Sequence, residues 1–309
     1  PTGVTYSTAG TKNVTLTITD TGSGCSVTSA STINIHLTPT ATFTSNAPQC
    51  AGVGIDFTNT GSTGGNWSYS WNFGQGANPA NSSAMNPTGI LYSSGGSKTI
   101  TFTISDQNCT QTSSQSITIS ETPVANFTST APVCANTAVD FTNTGSTGVN
   151  YSFFWDFGAN ASPSTSVAEN PSGVNYSVSG TKTVTLSITN EFYCVVQATQ
   201  NITISSTPTA AFSSNAPQCT GLPVNFTNTG STGSNWQFSW DFGSGSVPAT
   251  SVSESPGGIL YSTAGSKTVT FTISDANCSQ TSTQTINVSP LPYANAGADR
   301  SEERRVGKE

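Results

Sequence analysis

The sequence predicts an all-β chain of tandem antiparallel sandwiches. Three observations predict it: apolar residues recur at every second position, no window carries a 3.6-residue period, and the whole pattern repeats every 84 to 85 residues. The 309 residues carry 15 acidic and 8 basic side chains, a net charge of −7, with 33% hydrophobic and only 7% charged residues. Ser and Thr make up about a third of the chain, a composition that borders on that of disordered polypeptides. Regular placement of the scarce apolar residues lets them be buried together, so the chain reads as folded.

Within a repeat the elements follow in a fixed order. A short strand carries Ile55 and Phe57, then Val139 and Phe141, then Val224 and Phe226 in the three copies. An aromatic strand follows, with Trp67, Tyr69, Trp71 and Phe73 on one face, matched by Tyr151, Phe153, Trp155 and Phe157 and by Trp236, Phe238, Trp240 and Phe242. Next comes Ile100, Phe102, Ile104 (Val184, Leu186, Ile188; Val269, Phe271, Ile273), with Thr or Ser between them, which makes one face core and the other wet. The last strand holds Ile117 and Ile119, Ile202 and Ile204, or Ile286 and Val288. Short strands rich in Thr, Val, Ile and aromatics, bounded by Gly, Pro, Asn and Ser clusters, suit a two-layer sandwich with Greek-key connections.

The repeats set the expected domains: 39–122, 123–207 and 208–290 as full copies, and 1–38 as the C-terminal part of a truncated one, because Tyr6, Gly10, Lys12, Val14, Leu16 and Ile18 match only the second half. Residues 291–299 read as the start of a further repeat, so the chain is expected to be a window on a longer array. Pro39, Pro123 and Pro208 mark the junctions, where proline fixes φ and stiffens the connection. The last ten residues, 300–309, carry seven charges, whereas residues 1–299 contain no arginine and four lysines. This tail resembles a translated sequencing adapter and is set aside as artefactual.

Several strings recur in the same order in all three copies: FTNTGSTG at 57–64, 141–148 and 226–233; an aromatic strand closing in WNFG or WDFG; Asn-Pro or Ser-Pro; and a Tyr-Ser turn with Gly and Lys leading into the alternating strand. This order resembles that of polycystic-kidney-disease-type (PKD) domains over essentially all of residues 1–299. The resemblance implies immunoglobulin-like sandwiches arranged as beads on a string and an extracellular or cell-surface setting, in the style of adhesin-like surface proteins of Bacteroidota. The chain departs from the family's usual WDFGDG: Asn72 replaces the first Asp in one copy, and the second Asp is missing everywhere.

No cluster of groups suited to acid–base or nucleophilic catalysis is visible, and the chain reads as no enzyme. His36 has no equivalent in the other copies and reads as a surface or strand histidine. Asp56 and Asp140 (Asn225 in the third copy) and Asp156 and Asp241 (Asn72 in the first) alternate out of phase with the core, and their exchange for Asn argues against an acid or base role. No cofactor is expected. Calcium, which some PKD-type domains bind, is disfavoured because hard cations want several carboxylates that a repeat here does not supply; Asp156 and Asp241 are expected to hold turns instead. Trp67, Tyr151 and Trp236, outermost in the aromatic runs, either cap the core or offer flat rings for carbohydrate contact.

Seven cysteines fall at two repeated places without C-x-x-C spacing: Cys50, Cys134 and Cys219 before the second strand, and Cys25, Cys109, Cys194 and Cys278 in the last hairpin. This usage predicts disulfides and an oxidising compartment. Pairing within a repeat (Cys50 with Cys109, Cys134 with Cys194, Cys219 with Cys278) is the simplest scheme, although an immunoglobulin-like topology puts those turns at opposite ends. Head-to-tail pairing, Cys50 with Cys194 and Cys134 with Cys278, would staple neighbouring modules; both schemes stay open. No 18-residue apolar stretch exists to insert in a membrane, and nothing basic invites nucleic acid. The expected role is a non-catalytic structural or adhesive stalk, its partners being other domains of a parent protein and surface proteins or polysaccharide. A carbohydrate-binding accessory module of a secreted hydrolase is the alternative.

Overall fold

The computed structural model describes residues 1–295, and among these every helix or strand is a strand. The middle repeat shows the plan. Its larger sheet runs, in spatial order, Val133–Cys134, Val195–Ser205, Gly180–Asn190, Tyr151–Asp156 and Thr165–Ser166. All its pairings are antiparallel except the edge strand Val133–Cys134, which lies parallel to the end of Val195–Ser205. The facing layer is Phe127–Ser129 with Phe141–Asn143, beside Ala138–Val139, Val174–Tyr176 and Ala161–Ser162. The repeats on either side have the same five-stranded order.

Three separate cores result, each drawn from one repeat: Ala41 to Ile119, Phe127 to Ile204, and Phe212 to Val288. The alternation read from the sequence is the alternation of burial. Val184, Leu186 and Ile188 are fully buried, as are Trp71, Trp155 and Trp240. Aromatic rings fill the space between layers in geometries that favour the ring quadrupoles: Phe127 stands edge-on to Trp155 at 5.1 Å and Phe141 stacks on Phe157 at 5.0 Å. Each core Trp keeps its polar edge satisfied, because its indole N–H donates to the carbonyl of Ala84, Ala168 or Ser253 at 2.9 Å.

The recurrent FTNTGS string is explained by where the chain enters each module. Asn59, Asn143 and Asn228 accept from the N–H of Gly61, Gly145 and Gly230 and donate to the carbonyl of Ser62, Ser146 and Ser231. Those serines in turn accept, through Oγ, the N–H of Thr40, Val124 and Thr209, each one residue beyond the buried junction proline. The glycine is required sterically, since a Cβ there would run into the carbonyl oxygen of Thr40, Val124 or Thr209.

Residues 1–38 form a single hairpin, Gly10–Thr19 paired with Ser26–Ile35. Residues 291–295 carry no strand, and the rest of the expected further repeat, with the tail at 300–309, lies outside the described residues.

Candidate functional site

The two cysteine positions lie at opposite ends of each sandwich. Cys50 sits beside Ser120, at the end of the last strand, whereas Cys109 precedes Thr110 at that strand's start. Ten residues of extended chain separate them, about 33 Å at strand rise. Pairing within a repeat is therefore ruled out, which corrects the simpler of the two schemes. The disulfides are Cys50–Cys194 and Cys134–Cys278, with Cα atoms 5.8 and 5.6 Å apart, and each joins one module to the next. Cys25, Cys109 and Cys219 are free thiols.

Each joint has two halves. The receiving half is the edge strand bearing the cysteine, laid parallel to the end of its module's last strand: Gln49–Cys50 against Ile119 and Ser120, Val133–Cys134 against Ile204 and Ser205. The entering half is the tip of the following module's long hairpin. That tip is held by one side chain: Asn190 Oδ1 accepts from the N–H of Phe192 and Cys194, and Asp275 Oδ1 accepts from the N–H of Asn277 and Cys278. A free amide then reaches across the joint. Asn190 Nδ2 donates to Ser120 Oγ and to the Glu121 carbonyl, both at 2.8 Å, and Asn277 Nδ2 donates to Ser205 Oγ at 3.1 Å. The covalent and polar links thus act on the same few residues.

His36 belongs to this pattern. It follows Ile35 as Ser120 follows Ile119, and its Nδ1 lies 3.1 Å from Asn108 Nδ2, on the tip of the next module. Backbone bonds from Asn108 and Cys109 to Asp106 Oδ1 hold the Asp106 carboxyl below its ordinary pKa, with a smaller contribution from His36.

The repeated acids hold turns. Asp156 and Asp241 Oδ1 accept from the N–H of Gly158 and Gly243 at 2.9 and 2.8 Å, and Asn72 does the same with Gly74 at 2.9 Å. Only the acceptor oxygen is used, which is why Asn serves as well as Asp. Asp56, Asp140 and Asn225 similarly accept from Gly89, Gly173 and Gly258, tying two loops together. Behind the WDFG turn, the hydroxyls of Tyr92, Tyr176 and Tyr261 donate to the carbonyls of Phe73, Phe157 and Phe242. Burial pushes each phenol up to about 12, helped by Asp156 beside Tyr176 and Asp241 beside Tyr261. Lys98, Lys182 and Lys267 lie over these rings at 5.7 to 5.9 Å, which accounts for one lysine per repeat. Among the described residues no three His, Cys, Asp or Glu side chains gather in a metal-holding group.

Trp67, Tyr151 and Trp236 are half-buried, each packed against the rim of its own core. Tyr151 also lines a shallow groove of about 180 Å³ at the first joint, with Ser120, Glu121, Asn190 and Phe192. The tip residues Asn108, Asn190 and Asn277 and their acceptors Ser120 and Ser205 were not legible as functional. Two of the tips carry D-Q-N-C at 106–109 and D-A-N-C at 275–278, but nothing local names a partner some 70 residues away.

The PKD domain family model matches residues 36–121 and 205–290. The stretch between them has the same sheet order. No curated protein sequence matches the chain. Among solved structures, it is similar to three consecutive immunoglobulin domains of titin (11% identity over 83% of this chain and 100% of that chain, TM-score 0.41). It is also similar to the three N-terminal domains of the bacteriophage RB49 highly immunogenic outer capsid protein (12%, 82% and 99%, TM-score 0.35) and to extracellular domains 3–5 of Drosophila OTK (10%, 79% and 93%, TM-score 0.33).

Proposed function

We propose that this chain, which belongs to the PKD domain family, is a non-catalytic extracellular stalk whose modules are stapled end to end so that they space or present other domains of a parent protein. The observation that carries this reading is the pair of disulfides joining each module to its neighbour rather than closing any module on itself. A bond within a module would stabilise that module alone. A bond between modules adds nothing to a pocket but removes the hinge that a short linker otherwise leaves, since interfaces between domains of one chain are ordinarily mobile. Disulfides persist in oxidising compartments, which favours a secreted or surface location. No helix among the described residues is long and apolar enough to cross a membrane. Contacts with surface proteins or polysaccharide would be made along the Ser- and Thr-rich strand faces, and the role requires no cofactor.

Small-angle scattering on the intact chain and on a Cys50→Ser/Cys134→Ser double variant tests the reading. The variant is expected to sample a broader range of shapes while each module keeps its β circular-dichroism signal. Indistinguishable scattering would remove the mechanical role from the disulfides. The second reading, a carbohydrate-binding accessory module, would have to use the ring faces that Trp67 and Trp236 keep in solvent while packed against the rims of their cores. Retention on insoluble polysaccharide that is lost in Trp236→Ala would favour it over the stalk.

A further inference from the structure

Both stapled joints have a disulfide and a tip amide, but only the first adds aromatic rings to its tip. Between the turn-holding residue and the cysteine it has Glu191, Phe192 and Tyr193, where the second joint has Ala276 and Asn277. The second joint closes without those rings, so closure does not require them. Tyr193 is 87% exposed and takes a left-handed φ of +62°, which no residue of the tips 106–109 and 275–278 adopts. That conformation costs free energy for a bulky side chain, and strain of this kind gathers at ligand-contacting positions.

The rings lie along a continuous furrow. One groove of about 430 Å³ runs at the edge of module 39–122, between Phe43–Ser45 and residues 115–118, and Phe192 lines it. Phe192 also lines the groove of about 180 Å³ across the joint. That second groove shares Asn150, Tyr151 and Glu191 with a third, of about 260 Å³, on module 123–207. The furrow therefore crosses from one module to the next, beside the residues that Cys50–Cys194 and the Asn190 amide hold together. We infer that this furrow binds a neutral oligosaccharide, with Tyr151, Phe192 and Tyr193 as stacking rings and Asn150 and Glu191 as partners of its hydroxyls. The inference rests on the stapled joint of the stalk reading and adds to it a ligand class, at a place other than Trp67 and Trp236.

A sugar ring offers an apolar C–H face to an aromatic ring, and hydroxyls at its rim that an amide or a carboxylate bonds. The Asn150 amide and the Glu191 carboxylate are exposed and make no bond within the described chain. Charge selects the ligand class. Glu121 and Glu191 are the only charged side chains lining the furrow, so a polyanion finds no counter-charge there. Glu121 already accepts from the Gly95 N–H, which leaves one carboxylate, too few to select a basic peptide. A peptide strand added to the edge at 115–118 is obstructed as well, because the Gln115 side-chain amide reaches from that strand to the Phe43 carbonyl at 3.1 Å.

The test is isothermal titration of the full chain with neutral hexasaccharides of glucose, mannose, xylose and N-acetylglucosamine, with hexagalacturonate as the anionic and hexalysine as the cationic comparison. At least one neutral hexasaccharide is expected to bind roughly tenfold or more tightly than either comparison. Tyr193→Gly is the decisive variant. Glycine takes a φ of +62° freely, so the thermal midpoint should hold or rise while affinity falls roughly tenfold, the ratio that about 1.4 kcal/mol makes. Phe192→Ala should weaken binding to a similar degree, and Trp236→Ala should leave it within about twofold. Cys50→Ser/Cys194→Ser should weaken it several-fold by letting the furrow open. No binding of any neutral hexasaccharide, or tighter binding of hexagalacturonate or hexalysine, would overturn the inference. So would full affinity in Tyr193→Gly or Phe192→Ala, a lowered midpoint in Tyr193→Gly, or loss of binding in Trp236→Ala. Unchanged affinity in the double cysteine variant would place the sugar on one module and overturn the shared site. The scattering test of the stalk involves no sugar, so failure here leaves that reading standing.

Discussion

The hairpin at Gly10–Ile35 and the hairpin at Gly180–Ser205 are the same object in two settings. Both pair ten residues in antiparallel register, and Val14, Leu16 and Ile18 correspond to Val184, Leu186 and Ile188. Yet Leu16 is 59% exposed and Leu186 is fully buried. The difference is the covering layer. In the full module Phe127, Val139 and Phe141 of the facing layer close over the apolar face, and Trp155 flanks Leu186 within the sheet; residues 1–38 carry the hairpin alone. Strand pairing is therefore written locally, by alternation and a tight turn, whereas burial is supplied from elsewhere in the sequence.

The most direct way to break this comparison is to truncate the same side chain in both settings. Leu186→Ala removes a methylene-rich group from a packed core and is expected to lower the local stability of module 123–207 by about 2–5 kcal/mol, the transfer loss plus the cavity left behind. Leu16→Ala changes a face already in water and is expected to stay within about 0.5 kcal/mol. Amide hydrogen exchange read separately on peptides from 180–190 and 10–19 checks both, since exchange resolves regions that a single melting curve would merge. Equal losses would mean that hairpin 10–35 is covered in solution.

The turn behind the WDFG strand sharpens the comparison at about half that size. Tyr176→Phe removes the hydroxyl that donates to the buried Phe157 carbonyl, and a net cost of about 0.5–1.5 kcal/mol is expected. The same group predicts a pH response. Its folded pKa, near 12, lies above the ordinary tyrosine value of 10, so between these values the unfolded chain has lost the proton and the folded chain has kept it. Stability is therefore at its full value below pH 10 and falls as pH rises towards 12. Absorbance of tyrosinate should show a late-ionising fraction from Tyr92, Tyr176 and Tyr261, reduced by one third in Tyr176→Phe. Ionisation of all tyrosines together near pH 10 would contradict the buried hydrogen bond.

Much of the fold was legible because a half-buried strand states its own burial: every second residue is apolar, and Trp155, Leu186 and Ile204 are where that alternation puts them. Turn residues were legible for a similar reason, since Asp156 bonds a backbone N–H two residues away. The disulfides were not. By type and spacing Cys50 matches Cys109 and Cys194 equally well, and only the length of the hairpin, which carries its tip to the far end of the module, decides between them. Tip amides such as Asn277 stayed hidden because their partner, Ser205, lies in another module and leaves no local mark. Tyr151 shows the same limit: its sequence place is that of Trp67 and Trp236, but the end of the preceding module at Glu121 makes a groove beside it.

The smallest effect concerns the exchange of Asp and Asn at the WDFG turn, and it asks whether the three modules differ there in any energetic sense. Asn72 occupies in the first module the place of Asp156 in the second, and both accept from the glycine N–H at 2.9 Å. If the acceptor oxygen is all that matters, Asp156→Asn should leave the exchange protection of Gly158 and its neighbours within about 0.3 kcal/mol of the wild type, whereas Asp156→Ala should lower it by about 0.5–1 kcal/mol through loss of one exposed hydrogen bond. Gly158 itself cannot compensate, because its φ of +75° and the Thr183 carbonyl, 2.6 Å from where a Cβ would stand, fix the turn around it. A loss in Asp156→Asn as large as that in Asp156→Ala would show that the carboxylate charge, and not the hydrogen bond, holds the second module's turn, and that the first module does without it.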